Sequence, residues 1–178
     1  GNSPNPLTTW LKSLEIWGCN SHQKFIPKEV FTLNRRQLAI FLNRLFSTDG
    51  WASVLKSGQP QLGFGSVSER MIRQIQHLLL RYGVIASLKK REIKYQDSRK
   101  TAWQLDITDA NSIKTFAKEI GIFGKEEALN AVLSTLENRN YQTNKDLIPI
   151  EIWSDISAKK GAESWASLAK RADIKGYT

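Results

Sequence analysis

A single carboxylate, Asp49, lies where a helix is expected to end and a turn to begin. Between Arg35 and Phe46, apolar residues recur at positions 38, 41, 42, 45 and 46, the period of a helix that buries one face. Gly50 follows, and glycine readily takes the left-handed conformation that ends many helices. A negative charge on the last turn lies at the unfavourable end of the helix dipole. A bound metal ion explains this position better than helix stability does, although an ordinary solvated Asp-Gly turn has the same sequence.

The elements around this turn predict an α+β domain. From position 35 the order is helix, strand, strand, helix, strand, strand, helix, which favours helices on one face of an antiparallel sheet and leaves the other face free for a partner. The predicted bounds are a first helix Leu7–Trp17 ending at Gly18, strands Trp51–Leu55 and Gln61–Phe64, a helix from Ser66 or Ser68 to Gly83, strands Val84–Tyr95 and Lys100–Thr108 around a turn at Gln96–Arg99, and a helix from Asn111 to about Ile120. In the last strand one face is apolar and one polar, with Trp103, Leu105 and Ile107 alternating with Ala102, Gln104 and Asp106.

The overall charge indicates a polyanionic partner. The 178 residues carry a formal net charge of +9, and 40% of them are hydrophobic, as in a globular domain. A basic protein without an apolar run of membrane-spanning length most often binds nucleic acid. The one cysteine, Cys19, excludes an internal disulfide and fits a reducing cytoplasm. Ribosomal proteins and simple DNA-binding modules share this composition, so charge alone defines no activity.

Basic residues concentrate in the second predicted hairpin. Positions 89–100 of this hairpin carry six basic residues and only two acidic ones. The basic residues are Lys89, Lys90, Arg91, Lys94, Arg99 and Lys100. Because the opposite face of the predicted sheet is apolar, this run is expected to form a surface that follows DNA phosphates; the alternative is a solvated hairpin. Gln61, Arg91 and Gln104 carry the donors and acceptors that read base edges in the major groove.

A weak internal repeat relates two helices. Thr9–Gly18 aligns with Thr115–Gly124 at an offset of 106 residues, with four identities and two Trp–Phe pairs. Two unrelated amphipathic helices that end in glycine are the alternative. A lysine follows each copy, Lys24 and Lys125. If the repeat is a duplication, the counterpart of Asp49 is expected upstream of residue 1.

The segment 42–50 resembles the second copy of the LAGLIDADG motif of homing endonucleases, in the form used inside inteins. Leu42, Leu45, Asp49 and Gly50 match its first, fourth, eighth and ninth positions, whereas Asn43, Arg44 and Ser47 differ from its second, third and sixth. In that family two motif helices pack side by side, and the eighth residue of each holds a metal ion. The resemblance therefore implies an α+β, LAGLIDADG-type αββαββα domain with an Mg²⁺ site at Asp49 and Gly50.

The resemblance also gives the two lysines a role. Lys24 lies in a Lys-Phe-Ile-Pro segment 25 residues before Asp49, like the lysine of a Lys-x-x-Pro context ahead of the family's second motif. Lys125, 76 residues after Asp49, corresponds to the family's second lysine by order and by the repeat. A lysine beside a metal-held phosphate stabilises transition-state charge or helps to activate the attacking water. The implied catalytic residues are Asp49, Lys24 and Lys125, and the implied reaction is Mg²⁺-dependent hydrolysis of double-stranded DNA.

Three parts of the chain follow from this resemblance. Residues 1–34 would be the tail of a preceding LAGLIDADG repeat, residues 35–140 a whole repeat, and residues 141–178 a helical appendage. In the appendage, the segment Ile148–Trp153 is predicted to open a helix that runs to Gly161. A second helix is predicted to start at Ser164. The pair is similar to the start of the helix-turn-helix-like appendage of some intein endonucleases, and a plain helical pair is the alternative.

The implied function is that of an intein-encoded, site-specific DNA endonuclease in the cytoplasm. Segments Asn5–Phe31 and Gly63–Leu88 most resemble inteins in bacterial replicative DNA helicases. Since the family uses one acid from each of two motif helices, the chain is expected to hold DNA but cleave poorly unless it pairs with the upstream repeat or with a second copy. The alternative is a non-catalytic nucleic-acid-binding module, either a degenerate endonuclease or a maturase-like RNA binder.

Overall fold

Four antiparallel strands with helices on one face form the first of two units in the chain. The computed structural model describes residues 5–95, 98–137 and 152–172. The two units are Gly1–Thr143 and Asn144–Thr178. In chain order the elements are α1 (Pro6–Ser13), α2 (Lys28–Phe31), α3 (Arg35–Asp49), β1 (Gly50–Val54), β2 (Pro60–Ser66), α4 (Glu69–Leu80), β3 (Ser87–Tyr95), β4 (Ser98–Ile107), α5 (Ala110–Glu119), α6 (Glu126–Glu137), α7 (Ile152–Lys160) and α8 (Trp165–Arg171).

The sheet has the strand order β1-β2-β4-β3, with every neighbouring pair antiparallel. Its helix-covered side is the core: Leu62, Phe64, Leu105 and Ile107 are fully buried there. Helices α3, α4 and α6 contact the strands. The predicted α+β fold and its element order from α3 to α5 are confirmed.

Helix α3 begins where its sequence predicts. The Asn34 side chain accepts the N–H of Gln37 and the Gln37 side chain accepts that of Asn34, so a capping box fixes the first turn. Leu38, Leu42 and Phe46 form its buried face. The helix ends directly at β1, so the predicted position of Asp49 on the last turn is confirmed.

The predicted reason for Gly50 is wrong. Gly50 has φ −87° and ψ 163°, which is extended backbone open to any residue, because the chain passes straight from α3 into β1. The position excludes a side chain for a different reason. A Cβ at Gly50 would lie 2.6 Å from the carbonyl oxygen of Phe46 and 2.7 Å from its ring. Close approach of the backbone to the preceding turn therefore selects glycine here.

Several predicted bounds differ from the structure. Helix α1 ends at Ser13 rather than Trp17, and Gly18 lies in the following loop with φ +82°. Strand β3 starts at Ser87, and the preceding Val84 is buried without being paired. Arg99 belongs to β4 opposite Lys94 rather than to the predicted turn, whose residues 96 and 97 lie outside the described residues.

Helix α6 was missed by the sequence reasoning. Its buried residues Leu129, Val132 and Leu136 recur with helical spacing, which is the signal that could have found it. The helix packs against β1 and β2 and thereby covers the start of the strand that follows Asp49.

Among its described residues, 152–172, the second unit contains two short helices. Helix α7 ends near Gly161, which has φ +61°, and the Ser164 side chain caps α8 by accepting the N–H of Ser167. The predicted helix opening at 148–151 and any helix after Gly176 lie outside the described residues. In the part of the chain that is described, no helix has the length and apolarity needed to cross a membrane.

Candidate active site and nucleic-acid interface

Asp49 stands at the foot of α3 with its carboxylate in solvent. The side chain is exposed, and its Oδ2 lies 3.4 Å from the Thr48 hydroxyl oxygen, which donates to the carbonyl oxygen of Leu45 at 2.7 Å. Gly50, the next residue, is buried because it already pairs with Phe64 in the sheet. An exposed carboxylate therefore lies beside a buried and rigid backbone.

Lys125 is the second predicted catalytic residue that the structure places at this turn. Its ammonium group donates to the carbonyl oxygen of Gly50 at 2.5 Å and to that of Phe46 at 3.4 Å. The lysine is half-buried and immediately precedes α6. The fold thus brings Lys125 to the backbone next to Asp49 across 76 residues of sequence.

The start of α6 helps to hold Lys125 in place. The N–H of Gly124 donates to the Glu126 carboxylate at 2.9 Å, and this bond lowers the pKa of that carboxyl. An ionised acid in the first turn also suits the positive end of the helix dipole. The backbone on both sides of Lys125 is therefore tied down.

Lys24 is placed differently from the other two. Its side chain is exposed, and its carbonyl oxygen accepts a 2.6 Å hydrogen bond from Ser68, the N-cap of α4. Ser68 closely follows the end of β2 at which Phe64 pairs with Gly50, so Lys24 lies towards the same end of the sheet. Among the described residues, no hydrogen bond or ion pair joins the Lys24 ammonium to Asp49.

The register of the sheet divides the predicted nucleic-acid contacts between two faces. Successive side chains of a strand point to opposite sides. The side away from the helices, here termed the polar face, carries Gln61, Lys89, Arg91, Lys100 and Gln104. The helix side carries Lys90, Lys94 and Arg99, all exposed because they lie beyond the buried core. The six basic residues therefore divide between the two faces of the sheet, and their contact with DNA stays a prediction.

A carboxylate that the sequence reasoning treated only as part of a polar strand organises the polar face. Asp106 is 3% exposed. Its Oδ2 pairs with the Lys89 ammonium at 2.8 Å, and its Oδ1 accepts from the Gln104 amide at 2.6 Å. Two predicted DNA contacts, Lys89 and Gln104, are thus held by one buried acid.

Trp51 lies against Gly63, the neighbour of this acid in the sheet. It stands opposite Gly63, which is in turn paired with Asp106. A Cβ at Gly63 would overlap the Trp51 ring and would lie 2.8 Å from the carbonyl oxygen of Leu105. The glycine therefore lets the indole lie flat against the polar face. The spacing of Gly63 and Gly65 was the available sequence signal for such a close approach.

Comparison with known families identifies the domain that contains Asp49 and the polar face. Residues 36–121 match the family described as LAGLIDADG-like domain. The chain contains a LAGLIDADG-like domain. Proteins of this family are generally nucleases that bind DNA, and the endonucleases generally depend on a divalent metal.

Similar sequences occur inside much longer proteins. The chain is 33% identical over 156 residues to a replicative DNA helicase DnaB of Synechocystis sp., covering 85% of this chain and 18% of the relative. It is 32% identical over 159 residues to the same protein of Nostoc sp., covering 87% and 18%. It is also 34% identical over 118 residues to a glutamine–fructose-6-phosphate aminotransferase of Methanocaldococcus jannaschii, covering 65% and 10%. The chain spans less than a fifth of the length of these relatives.

Two departures from the LAGLIDADG motif have a structural role. The Asn43 amide donates to the carbonyl oxygen of Ile120 at 2.9 Å, at the end of α5. The Arg44 guanidinium lies 3.6 Å from the centre of the Phe123 ring. Both side chains fasten the segment that leads from α5 to Lys125 onto the LAGLIDADG helix. The second and third positions of the motif therefore carry contacts with the segment that precedes Lys125.

The oxygen atoms at this turn suit a hard divalent cation. Mg²⁺ prefers carboxylate and carbonyl oxygen ligands and keeps several waters. Asp49 offers an exposed carboxylate, and Gly50 offers a carbonyl that currently accepts the Lys125 ammonium. Within the described residues, no group of three or more His, Cys, Asp and Glu side chains could hold a metal ion. The LAGLIDADG-like domain therefore provides a fitting but partial set of ligands.

Proposed function

We propose that the chain is part of an intein-encoded, site-specific homing endonuclease that hydrolyses double-stranded DNA with Mg²⁺. The observation that carries this proposal is the convergence at one turn of the LAGLIDADG helix: the exposed Asp49 carboxylate and the Lys125 ammonium both lie beside Gly50. The cytoplasm, where bacterial DNA lies, is the proposed site of action.

The intein context is supported by the relatives. Most of this chain, 85% and 65% of it, is similar to short parts of two proteins whose names denote unrelated activities, a DNA helicase and an aminotransferase. A segment shared by otherwise unrelated proteins is what an inserted, self-contained element would produce. We therefore assign the chain to the inserted element and not to the host activity of either relative.

In this mechanism Asp49 and the Gly50 carbonyl would hold the metal. The bound ion supplies an activated water and neutralises charge on the scissile phosphate. Lys125 is held within 2.5 Å of the Gly50 carbonyl, close enough for its ammonium to stabilise a phosphate oxygen placed there. Lys24 would approach the same end of the sheet from the start of α4. The polar face, with Gln61, Lys89, Arg91, Lys100 and Gln104, would contact the DNA duplex.

An upstream LAGLIDADG repeat, or a second copy of the chain, would complete the site. Leu7 and Trp10 on α1 are 58% and 57% exposed, and at the repeat offset they correspond to Ile113 and Phe116 on α5, both fully buried. Apolar side chains at equivalent positions of the repeat are thus buried on α5 and exposed on α1. In this assignment residues 1–34 belong to the preceding repeat, residues 35–140 form the second, and residues 141–178 form the appendage.

Cleavage of a supercoiled plasmid tests the proposal. The plasmid carries a replicative helicase gene without the inserted segment, and Mg²⁺ is present. We expect a protein extended upstream through a first motif to cut at one site, and the 178-residue chain to bind the same plasmid while cutting poorly. Asp49→Asn should abolish cutting in the extended protein, whereas the matched change Asp155→Asn, an exposed acid on α7, should leave it intact.

A non-catalytic DNA-binding module is the second candidate. It is favoured by one observation: the Lys125 ammonium already occupies the Gly50 carbonyl, one of the two oxygens proposed to hold the metal. If neither protein cuts and both bind the plasmid, this candidate replaces the endonuclease. If neither protein binds DNA, both candidates fail.

A further inference from the structure

Asp106 is the one charged residue that is buried among those the structure describes. It lies on the polar face of the sheet, the side that the proposed function assigns to DNA, and a lone buried charge there is costly unless it is paired. The structure pairs it twice, with Lys89 at 2.8 Å and with Gln104 at 2.6 Å. The two partners stand directly opposite each other on β3 and β4. One acid therefore clamps a facing pair of side chains.

The clamp fixes which way the Gln104 amide points. An ionised carboxylate only accepts hydrogen bonds, so the NH₂ group of Gln104 must face Asp106 and its carbonyl oxygen must face away. One N–H of the Gln104 amide donates to Asp106. The second N–H and the amide oxygen are left for another partner. Gln104 itself is only partly buried and lies on the polar face.

The remaining donor and acceptor match one base. In the major groove adenine presents the N7 acceptor beside the N6 amino donor, and a glutamine amide binds the two together. Lys89 keeps two further N–H donors, but its charge is compensated by Asp106 at 2.8 Å. A fixed amide pays less ordering entropy on binding than a free one. The arrangement thus suits base discrimination more than general attraction to phosphates.

We propose that Asp106 is a positioning residue for sequence readout, which orients the Gln104 amide so that Gln104 recognises an adenine of the DNA target. This inference rests on the proposed function, because it takes the polar face as the DNA-contacting surface. It adds a residue that itself touches no DNA and a base that the target should contain.

The test is selection of bound duplexes from a random-sequence DNA pool. The 178-residue chain is used without divalent metal at low salt, so that binding is measured without cleavage. We expect wild type to enrich adenine at one position by about tenfold. Gln104→Leu and Asp106→Leu should each remove the preference at that same position, and the matched change Gln59→Leu, at an exposed glutamine outside the strands, should keep it.

Affinity provides a second readout that a merely structural role would not give. Asp106→Leu removes a negative charge and releases Lys89, so binding to the unselected pool should strengthen and its salt dependence should steepen by at most about one phosphate contact. If Asp106→Leu leaves the preference that Gln104→Leu removes, Asp106 does not position the amide. If Gln104→Leu changes no position, the adenine assignment is wrong.

Two outcomes separate this inference from the proposed function. Binding of all sequences equally overturns the inference and leaves DNA binding intact, whereas no binding overturns both. If Asp106→Leu does not fold, the inference is tested instead by hydrogen exchange of the Gln104 side-chain amide in the wild-type protein. One proton of this amide should exchange with solvent much more slowly than those of the exposed Gln59. Equal exchange rates would show that the amide is not held.

Discussion

At the scale of single residues, close approach decides more of this site than conformational preference does. Neither Gly50 nor Gly63 has a positive φ, so backbone conformation does not require glycine at either position. A Cβ at Gly50 would nevertheless lie 2.6 Å from the carbonyl oxygen of Phe46, and a Cβ at Gly63 would lie 2.8 Å from that of Leu105. These glycines keep the helix foot and the Trp51 ring close to the sheet. The site is therefore built on backbone contacts that tolerate no added atoms.

A pair of glycines on β2 gives a matched prediction. Gly63→Ala should destabilise the protein by about 1–3 kcal/mol, because the new methyl overlaps the Trp51 ring and backbone. Gly65→Ala places its methyl 3.7 Å from the same ring, an ordinary contact, and should cost far less. Urea unfolding of both variants measures the difference in free energy of unfolding. Equal losses would mean that the indole does not lie over Gly63.

At the scale of elements, strand alternation decides which charges can act together. The basic run of β3 and β4 is continuous in sequence, but its members alternate between the polar face and the helix side. Helix α6 and the turn before it supply Lys125 to the end of α3, and Asn43 fastens that turn to the motif helix. Helices α3, α5 and α6 therefore contribute to the site with residues at or near their ends.

Two exposed arginines on opposite faces test the assignment of the DNA-contacting surface. Arg91→Gln on the polar face should weaken duplex binding and reduce the slope of log affinity against log salt by about 0.9. Arg99→Gln, on the helix side, removes the same charge and should leave the slope nearly unchanged. Fluorescence anisotropy across a salt series measures both slopes. Equal effects would show that the duplex contacts both faces or that only net charge matters.

At the scale of the whole molecule, the exposed apolar side chains of α1 distinguish it from its counterpart α5. The ring centroids of Phe116 and Phe46 lie 4.8 Å apart in the core, whereas the corresponding Trp10 is 57% exposed. Burying an aromatic side chain of this size is one of the larger stabilising contributions available to a domain. A preceding repeat with its own motif helix would recover that contribution for Trp10.

This difference leads to a prediction about context. In the 178-residue chain, Phe116→Ala should cost about 3–5 kcal/mol, because it empties a fully buried position. Trp10→Ala should stay within about 0.5 kcal/mol there, as surface changes usually do. In a protein extended upstream through a first repeat, Trp10→Ala should become as costly as Phe116→Ala. An unchanged small effect in the extended protein would contradict the duplication.

Local pattern in the sequence was enough to predict most of the helices and strands of this protein. Helical spacing predicted α3 and the position of Asp49 at its end, and the order of helices and strands predicted the α+β fold. Period-two alternation was also readable, and it would have divided the basic residues between two faces had it been applied to β3. The same holds for α6, whose apolar spacing is plain. These features depend on neighbours a few residues apart, so they are encoded locally.

Only the tertiary structure decided how distant residues meet. The contact of Lys125 with Gly50, the steric need for Gly63 beside Trp51 and Leu105, and the pairing of Asp106 with Lys89 all join segments that are far apart in sequence or on different strands. Burial of a polar side chain depends on what packs over it, and local pattern carries no record of that. The sequence by itself thus determined the helix that carries the acid, and packing determined which side chains surround it.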